Sequence, residues 1–392
     1  MKPTDLAPTP PMGFNTWNHF GDEIDERLVD EILEALLSSG LADLGYRYLN
    51  LDDGWMEPAR SASGSLRPHQ RRFPGGIPRL VEQVHGAGLR FGIYSDCGTR
   101  TCAGYAGSYG YEQRDAELFA EWDVDYVKHD WCYVPLEDFP GWTVSEVAAE
   151  LYGRMANGLA KAAKPIVLSV CNWGQGEPWE WAGELAHLWR TTGDIEDRWA
   201  EGSRPHLLGV TQIFRRNVHL ARFAGPDGWN DPDMLEVGNG GMTDTEYRSH
   251  FALWCMMAAP LLVGCDVRRM SEETREILGN RRLIAIDQDP LGSAARLVER
   301  AGSLHTLARP LADGGLAVAV FNEGEQAQEV SVRWRHLAGV VGVAEPVAGS
   351  VVEDCWSGTT APVRGGEEVA LAPHATAVWR IRPPAPVVGP SD

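Results

Sequence analysis

The heptapeptide YVKHDWC at 126–132 places an ammonium, Lys128, two residues before a carboxylate, Asp130. On a strand, residues two apart share a face, so Lys128 and Asp130 point one way and His129 the other. A neighbouring ammonium favours the ionised form of an acid, so Asp130 is expected to be a carboxylate at neutral pH and able to act as a nucleophile. A second pair stands in LWRTTGDIEDRW at 188–199, where Arg190 lies in a strand and Asp194 follows four residues later in its exit loop. An acid there, partly desolvated by aromatics, has a raised pKa and can hand a proton to a leaving oxygen. A nucleophilic carboxylate and a protonated acid are the two groups that glycoside hydrolysis needs. Each residue also has a plainer use. A buried Lys and Asp pair with each other whatever their function, and Asp194 or Asp197 would serve to cap a following helix.

Such groups act together only if a scaffold gathers them. From about Pro11 to Pro290, short apolar runs alternate with stretches of helical period, the pattern of parallel βαβ units. Six clear strands are read at 12–17, 46–51, 89–95, 125–130, 165–171 and 188–192, and weaker ones at 228–230 and 260–265. Between them, Ile24, Leu28, Ile32 and Leu36 recur every fourth residue on one helix, and Ser145 is placed to cap another. Eight such units predict a (β/α)8 TIM barrel, whose active site lies at the carboxyl ends of the strands. Acid, amide and aromatic residues recur at those ends: Trp17 and Asn18, Asp52 and Asp53, Asp96, Asn172, Asn230, Asp231 and Asp233, and Asp266. From 297 to 381 no helical period is read. LHTLARP, LAVAVFN, QEVSVRW and TAVWRI read as strands, and they predict a small C-terminal antiparallel β-sandwich domain. The division is thus a catalytic barrel at 1–292, the β domain at 293–384 and a flexible Pro-rich tail at 385–392.

A net charge of −20 argues against nucleic acid or an anionic membrane as partner. With 44% hydrophobic and 23% charged residues, the chain has the composition of a globular protein. The longest nearly apolar stretch, 255–265, is too short to span a bilayer. MKPTDLAPTPP lacks the apolar core of a secretory signal, so the expected location is cytoplasmic as written, or secreted if a leader was removed. The seven cysteines include no CxxC pair, no HExxH occurs, and GNGGM at 238–242 lacks the strand that a phosphate loop requires. No metal and no cofactor is expected. A monomer and a homo-oligomer both remain open.

PPMGFNTWNHFG (10–21), YLNLDDGW (48–55), FGIYSDCGTRTCAGYAGSYGYE (91–112), DYVKHDWC (125–132), WRTTGDI (189–195), GWNDPDML (228–235), MAAPLL (257–262) and AIDQDPLG (285–292) resemble, in order, the signatures of glycoside hydrolase family 27. That family holds α-galactosidases and α-N-acetylgalactosaminidases. The resemblance implies a retaining mechanism with Asp130 as nucleophile and Asp194 as acid/base, their carboxyls roughly 5 to 6 Å apart. It implies that Asp52 and Asp53 hold the 4- and 6-hydroxyls of galactose, that Lys128 binds the 3- and 4-hydroxyl edge, and that Arg190 lies near the 2-hydroxyl. Trp17 and Tyr94 match wall aromatics, and Asp233 with Met234 match a further wall. Cys102 and Cys132 match a bridged pair beside the nucleophile, Cys102 also touching the pocket. The loop at 171–181, with Asn172, Trp173 and Gln175, matches the segment that chooses between galactose and N-acetylgalactosamine, and the size of Asn172 and Gln175 favours galactose. Two departures are Gly54, where many members carry a bridged Cys, and Phe14, where Trp is usual. The expected substrate is an α-galactoside, small or oligosaccharide. The alternatives are an α-N-acetylgalactosaminidase, a β-L-arabinopyranosidase, and a non-catalytic sugar-binding protein. A metal-dependent barrel of the enolase type would also place Lys and acids at strand ends.

Overall fold

Each of the eight strands read before residue 266 forms in the computed structural model, which describes residues 2–384. They are β1 Met12–Asn15, β2 Tyr48–Leu51, β3 Arg90–Asp96, β4 Tyr126–Asp130, β5 Val167–Cys171, β6 Leu188–Arg190, β7 Trp229–Asp231 and β8 Leu261–Val263. All are parallel, in the order β8-β1-β2-β3-β4-β5-β6-β7. The last edge is joined beyond the end of β7. There Leu235 bridges Val263, its N–H donating to the Leu262 carbonyl at 2.8 Å while Gly264 donates back to Leu235 at 2.9 Å. This is a (β/α)8 barrel. Strands covered on both faces must be apolar throughout, and only Arg90 and Lys128 break the burial of these eight.

The helix Glu26–Ser38 buries Leu28, Val29, Ile32, Leu33 and Leu36, the stripe its period requires, and Asp25 accepts from Leu28 N–H to start it. The helix Val144–Leu159 is capped differently from expectation. Thr143, not Ser145, is its N-cap, because Thr143 and Glu146 form a reciprocal capping box that begins two residues earlier. Ser145 instead donates to the Gly176 carbonyl.

Beyond the barrel come β9 Arg296–Ala301, β10 Leu304–Pro310, β11 Leu316–Asn322, β12 Gln328–Arg333, β13 Val351–Asp354, β14 Thr360–Pro362, β15 Gly366–Leu371 and β16 Thr376–Arg382. An antiparallel six-stranded sheet, β9-β10-β11-β16-β13-β14, and a β12-β15 ladder enclose a second core. The expectation of no helix here is wrong. Trp334–Val341 is helical, burying Trp334, Leu337, Ala338 and Val341 at i, i+3, i+4 and i+7. Two turns containing two valines and a glycine carry too little intrinsic helical preference to stand out, and packing on the sheet decides the outcome. Strand β11 is buried along its whole length because its two faces meet different partners. Ala317, Ala319 and Phe321 join the barrel's hydrophobic core, while Leu316, Val318 and Val320 face the small core with Trp334 and Trp379. The two domains therefore share apolar surface. The tail at 385–392 lies outside the described residues. Among the described residues, no helix is long and apolar enough to cross a membrane.

Candidate active site

The strand ends converge on a cavity of about 570 Å³. Asp52 and Asp53 reach it from the end of β2, Tyr94 from β3, Lys128 and Asp130 from β4, and Arg190 from β6. Trp17, Cys102, Asp194, Asp233 and Met234 complete the set expected from the sequence that lines it. Asn172 and Trp173 do not. Asn172 is fully buried, its amide donating to the Gln175 carbonyl, and Trp173 takes a left-handed backbone (φ 56°) and packs on the barrel core. The tight turn that closes Asn172 on Gln175 draws this loop away from the lining. Cys132 also stays off the lining and forms a disulfide with Cys102, their Cα atoms 5.2 Å apart. Asp96, Asp130 and the two cysteines offer ligand atoms within 4.8 Å of one another, but the bridge consumes both sulfurs and leaves no thiolate for a metal.

The environment of Asp130 departs from the simple expectation. Lys128 Nζ lies over the Tyr94 ring and binds Asp52 Oδ2 at 2.9 Å, so its ion pair is with Asp52. Asp130 instead accepts from Trp131 N–H at 2.9 Å and from Tyr94 Oη at 3.0 Å, with Cys102 Sγ at 3.5 Å. Burial pushes its carboxyl up to about 7, against the pull of Lys128, and the charges of Asp194 and Asp52 push the same way as burial. A lysine two residues away therefore does not by itself hold this acid ionised. Asp194 differs from expectation as well. Its side chain is 40% exposed and ion-paired with Arg190 at 3.0 Å. It sits in a two-residue ladder with Leu207–Leu208 and caps no helix, since the next one, Val210–Asn217, begins after Gly209.

The rest of the wall is fixed by hydrogen bonds that aim the acids inward. Asp52 accepts from Asn15 Nδ2 at 2.7 Å as well as from Lys128. Asp53 accepts from Gly54 N–H at 2.7 Å and Ala103 N–H at 2.9 Å, yet burial still raises its carboxyl to about 6. Arg190 divides its charge between Asp194 and Asp233, the latter at 2.9 Å, and Asp233 also accepts from Ile195 N–H at 2.8 Å. Gly54, at φ 94°, has no room for a side chain: a Cβ there would meet the Asp22 Cβ at 2.8 Å. Asp22 in turn accepts from Tyr105 Oη at 2.9 Å.

Sequence reasoning missed Glu236 and Asn239, which also line the cavity. Glu236 accepts from Asn18 Nδ2 and Asn239 Nδ2, and burial pushes its carboxyl up to about 8. The available signal was an acid directly after DPDML, between Leu235 and Val237. These raised acids have a thermodynamic consequence. Between the ordinary carboxyl range of about 4 and the raised value, the folded protein holds a proton that the unfolded chain has released, so stability falls as pH rises through that interval. His129 and His250, held down by burial to about 3, act oppositely below their ordinary value of 6.5. In the window from about pH 6.5 to about pH 8 the carboxyls act alone, Asp130 over the lower part and Glu236 throughout, with Asp96 and Asp287, which burial holds well above the ordinary range, acting in the same direction. The thermal unfolding midpoint is expected to fall across that window, and Glu236→Gln to flatten the slope. A midpoint that holds or rises there would refute the assignment.

The family model described as "Alpha galactosidase A" matches residues 9–289, and that described as "Alpha galactosidase C-terminal beta sandwich domain" matches residues 301–381. The chain is 40% identical over 381 residues to an alpha-galactosidase of Oryza sativa subsp. japonica, an alignment covering 96% of this chain and 86% of that one. Alpha-galactosidase I from Mortierella vinacea superposes with a TM-score of 0.91 at 34% identity, covering 97% of this chain and 99% of that chain. The Saccharomyces cerevisiae alpha-galactosidase structure with raffinose gives a TM-score of 0.88 at 27% identity, covering 96% and 98%.

Proposed function

The chain belongs to glycoside hydrolase family 27, the α-galactosidase family, and from that membership we propose that it is a retaining exo-enzyme releasing terminal α-D-galactosyl residues from oligosaccharides. The observation that carries the reading is that, among the acids lining one cavity, Asp130 and Asp194 stand in unlike settings. Asp130 is buried and fixed by Tyr94 and the Trp131 N–H, and Asp194 is accessible beside Arg190. Unlike environments are what divide an acid pair into separate roles. Asp130 attacks the anomeric carbon while Asp194 protonates the departing oxygen, giving a glycosyl ester on Asp130. Asp194 then takes a proton from the water that hydrolyses this ester, and the configuration is retained. Because Arg190 is shared with Asp233, its hold on Asp194 is partial.

The Lys128–Asp52 pair and Asp53 supply the polar edge for the sugar. The raffinose complex of the yeast relative supports an oligosaccharide as the substrate class. Losing one hydrogen bond to a buried charged acceptor costs about 1 to 3 kcal/mol, or roughly 5- to 150-fold in rate. Nitrophenyl β-L-arabinopyranoside, which lacks the 6-hydroxymethyl group, is therefore expected to be cleaved that much more slowly than nitrophenyl α-galactoside. The α-glucoside, with its 4-hydroxyl misdirected, should hardly react. Should the arabinopyranoside have the higher kcat/KM, the galactose assignment is wrong, although the catalytic pair would stand.

A further inference from the structure

Tyr94 Oη lies 3.0 Å from Asp130 Oδ2 and 3.3 Å from Asp96 Oδ2. A phenol has one proton to donate. Three oxygens in a row thus need two protons if neither contact is to set lone pair against lone pair, and Tyr94 supplies only one. No cation relieves the difference. Among the described residues neither Asp96 nor Asp130 is in an ion pair, since Lys128 binds Asp52 and Arg190 binds Asp194 and Asp233. The second proton must therefore sit on one of the two carboxyls.

The geometry favours Asp96. It is fully buried (0% exposed) behind the lining, whereas Asp130 opens into the cavity. Its Oδ1 accepts from Gly98 N–H at 2.7 Å and its Oδ2 from Cys132 N–H at 3.1 Å. A hydroxyl at Oδ2 keeps a lone pair for Cys132 N–H while donating to Tyr94. We propose that Asp96 holds a proton in the working enzyme and donates it to Tyr94 Oη, so that the tyrosine proton points at Asp130 and keeps the nucleophile ionised. This assignment rests on the reading of Asp130 as nucleophile, and it makes Asp96 a positioning residue that acts through Tyr94.

Burial drives the Asp96 carboxyl well above the ordinary range, with like-charge repulsion from Asp130 and, more weakly, Asp53 adding to it, against the Gly98 and Cys132 N–H donors. The other ionisable groups facing the trio are Asp52 after β2, Cys97 after β3, Lys128 on β4, the phenol of Tyr152 on the helix Val144–Leu159, Cys171 on β5 and Asp194 after β6. Apart from Lys128 these are carboxylic acids, thiols and a phenol, so one shared negative charge is cheaper than two.

Infrared difference spectra at pH 8 test the proposal without turnover. Wild type minus Asp96→Asn should show loss of a protonated-carboxyl C=O band, and wild type minus Asp130→Asn should show loss of a carboxylate band. A protonated-carboxyl band lost with Asp130→Asn, or a carboxylate band lost with Asp96→Asn, overturns it. The pH profile of kcat/KM gives a second reading. Tyr94→Phe removes the donor to ionised Asp130, so the acid limb should rise by about one unit. With Asp96→Asn, which keeps that site neutral, the limb should move by less than about half a unit. An unmoved limb in Tyr94→Phe, or a drop of about a unit or more in Asp96→Asn, overturns the relay. If Asp96→Asn does not fold, the Asp130→Asn spectrum and the Tyr94→Phe profile still decide. Failure of the nucleophile assignment itself shows up separately, in the azide product of Asp130→Ala.

Discussion

Replacing Asp130 by alanine is expected to reduce turnover of a nitrophenyl α-galactoside by roughly 10⁴-fold or more while leaving the protein folded. The carboxylate is the only nucleophile that Tyr94 and the Trp131 N–H present to the cavity from β4. Its removal takes away the covalent route and leaves only binding and electrostatics. The fold should survive because Asp130 contributes no ion pair, and burial already works against its ionised form. Small external anions fit the space vacated. Azide should restore part of the activity by attacking the face that Asp130 attacked, giving β-galactosyl azide from an α-galactoside. Turnover within tenfold of wild type, or a rescued product of α configuration, would exclude Asp130 as nucleophile.

Asp194→Ala should separate substrates by leaving group. General acid assistance is worth roughly 10² to 10⁴ when the departing oxygen is basic and little when it is not. An unactivated disaccharide should therefore lose most of its rate, while dinitrophenyl galactoside still glycosylates Asp130 within about tenfold of wild type. Hydrolysis of the ester then lacks its base, so a burst should appear, and azide should release α-galactosyl azide by attacking the ester from the face opposite Asp130. Arg190 keeps Asp233 at 2.9 Å in this variant, so its charge remains paired. Equal losses on both substrates would make Asp194 a structural residue whose role is to hold Arg190.

Much of this molecule is written locally. Short apolar runs and a repeat at every fourth residue such as Ile24, Leu28, Ile32 and Leu36 need only near neighbours to be read, and the barrel and the acids at its strand ends followed from them. The ordered motifs added the family and the two carboxylates. What was illegible depends on which side chains meet across strands. Lys128 and Asp130 share a face of β4, but the parallel register sets Lys128 beside Tyr94 and Asp96 beside Asp130. The ammonium leans over the tyrosine to Asp52, two strands away, and the partner of Asp130 becomes a phenol that also touches a buried acid. The same dependence hid the helix at Trp334–Val341, which the sheet beneath it selects, and the retreat of Asn172 into its own turn. Residue type and spacing thus determined which groups were available to the chemistry. Which of them carries a proton was decided only by tertiary structure, because desolvation and the distance to the nearest charge do not exist until the strands are side by side.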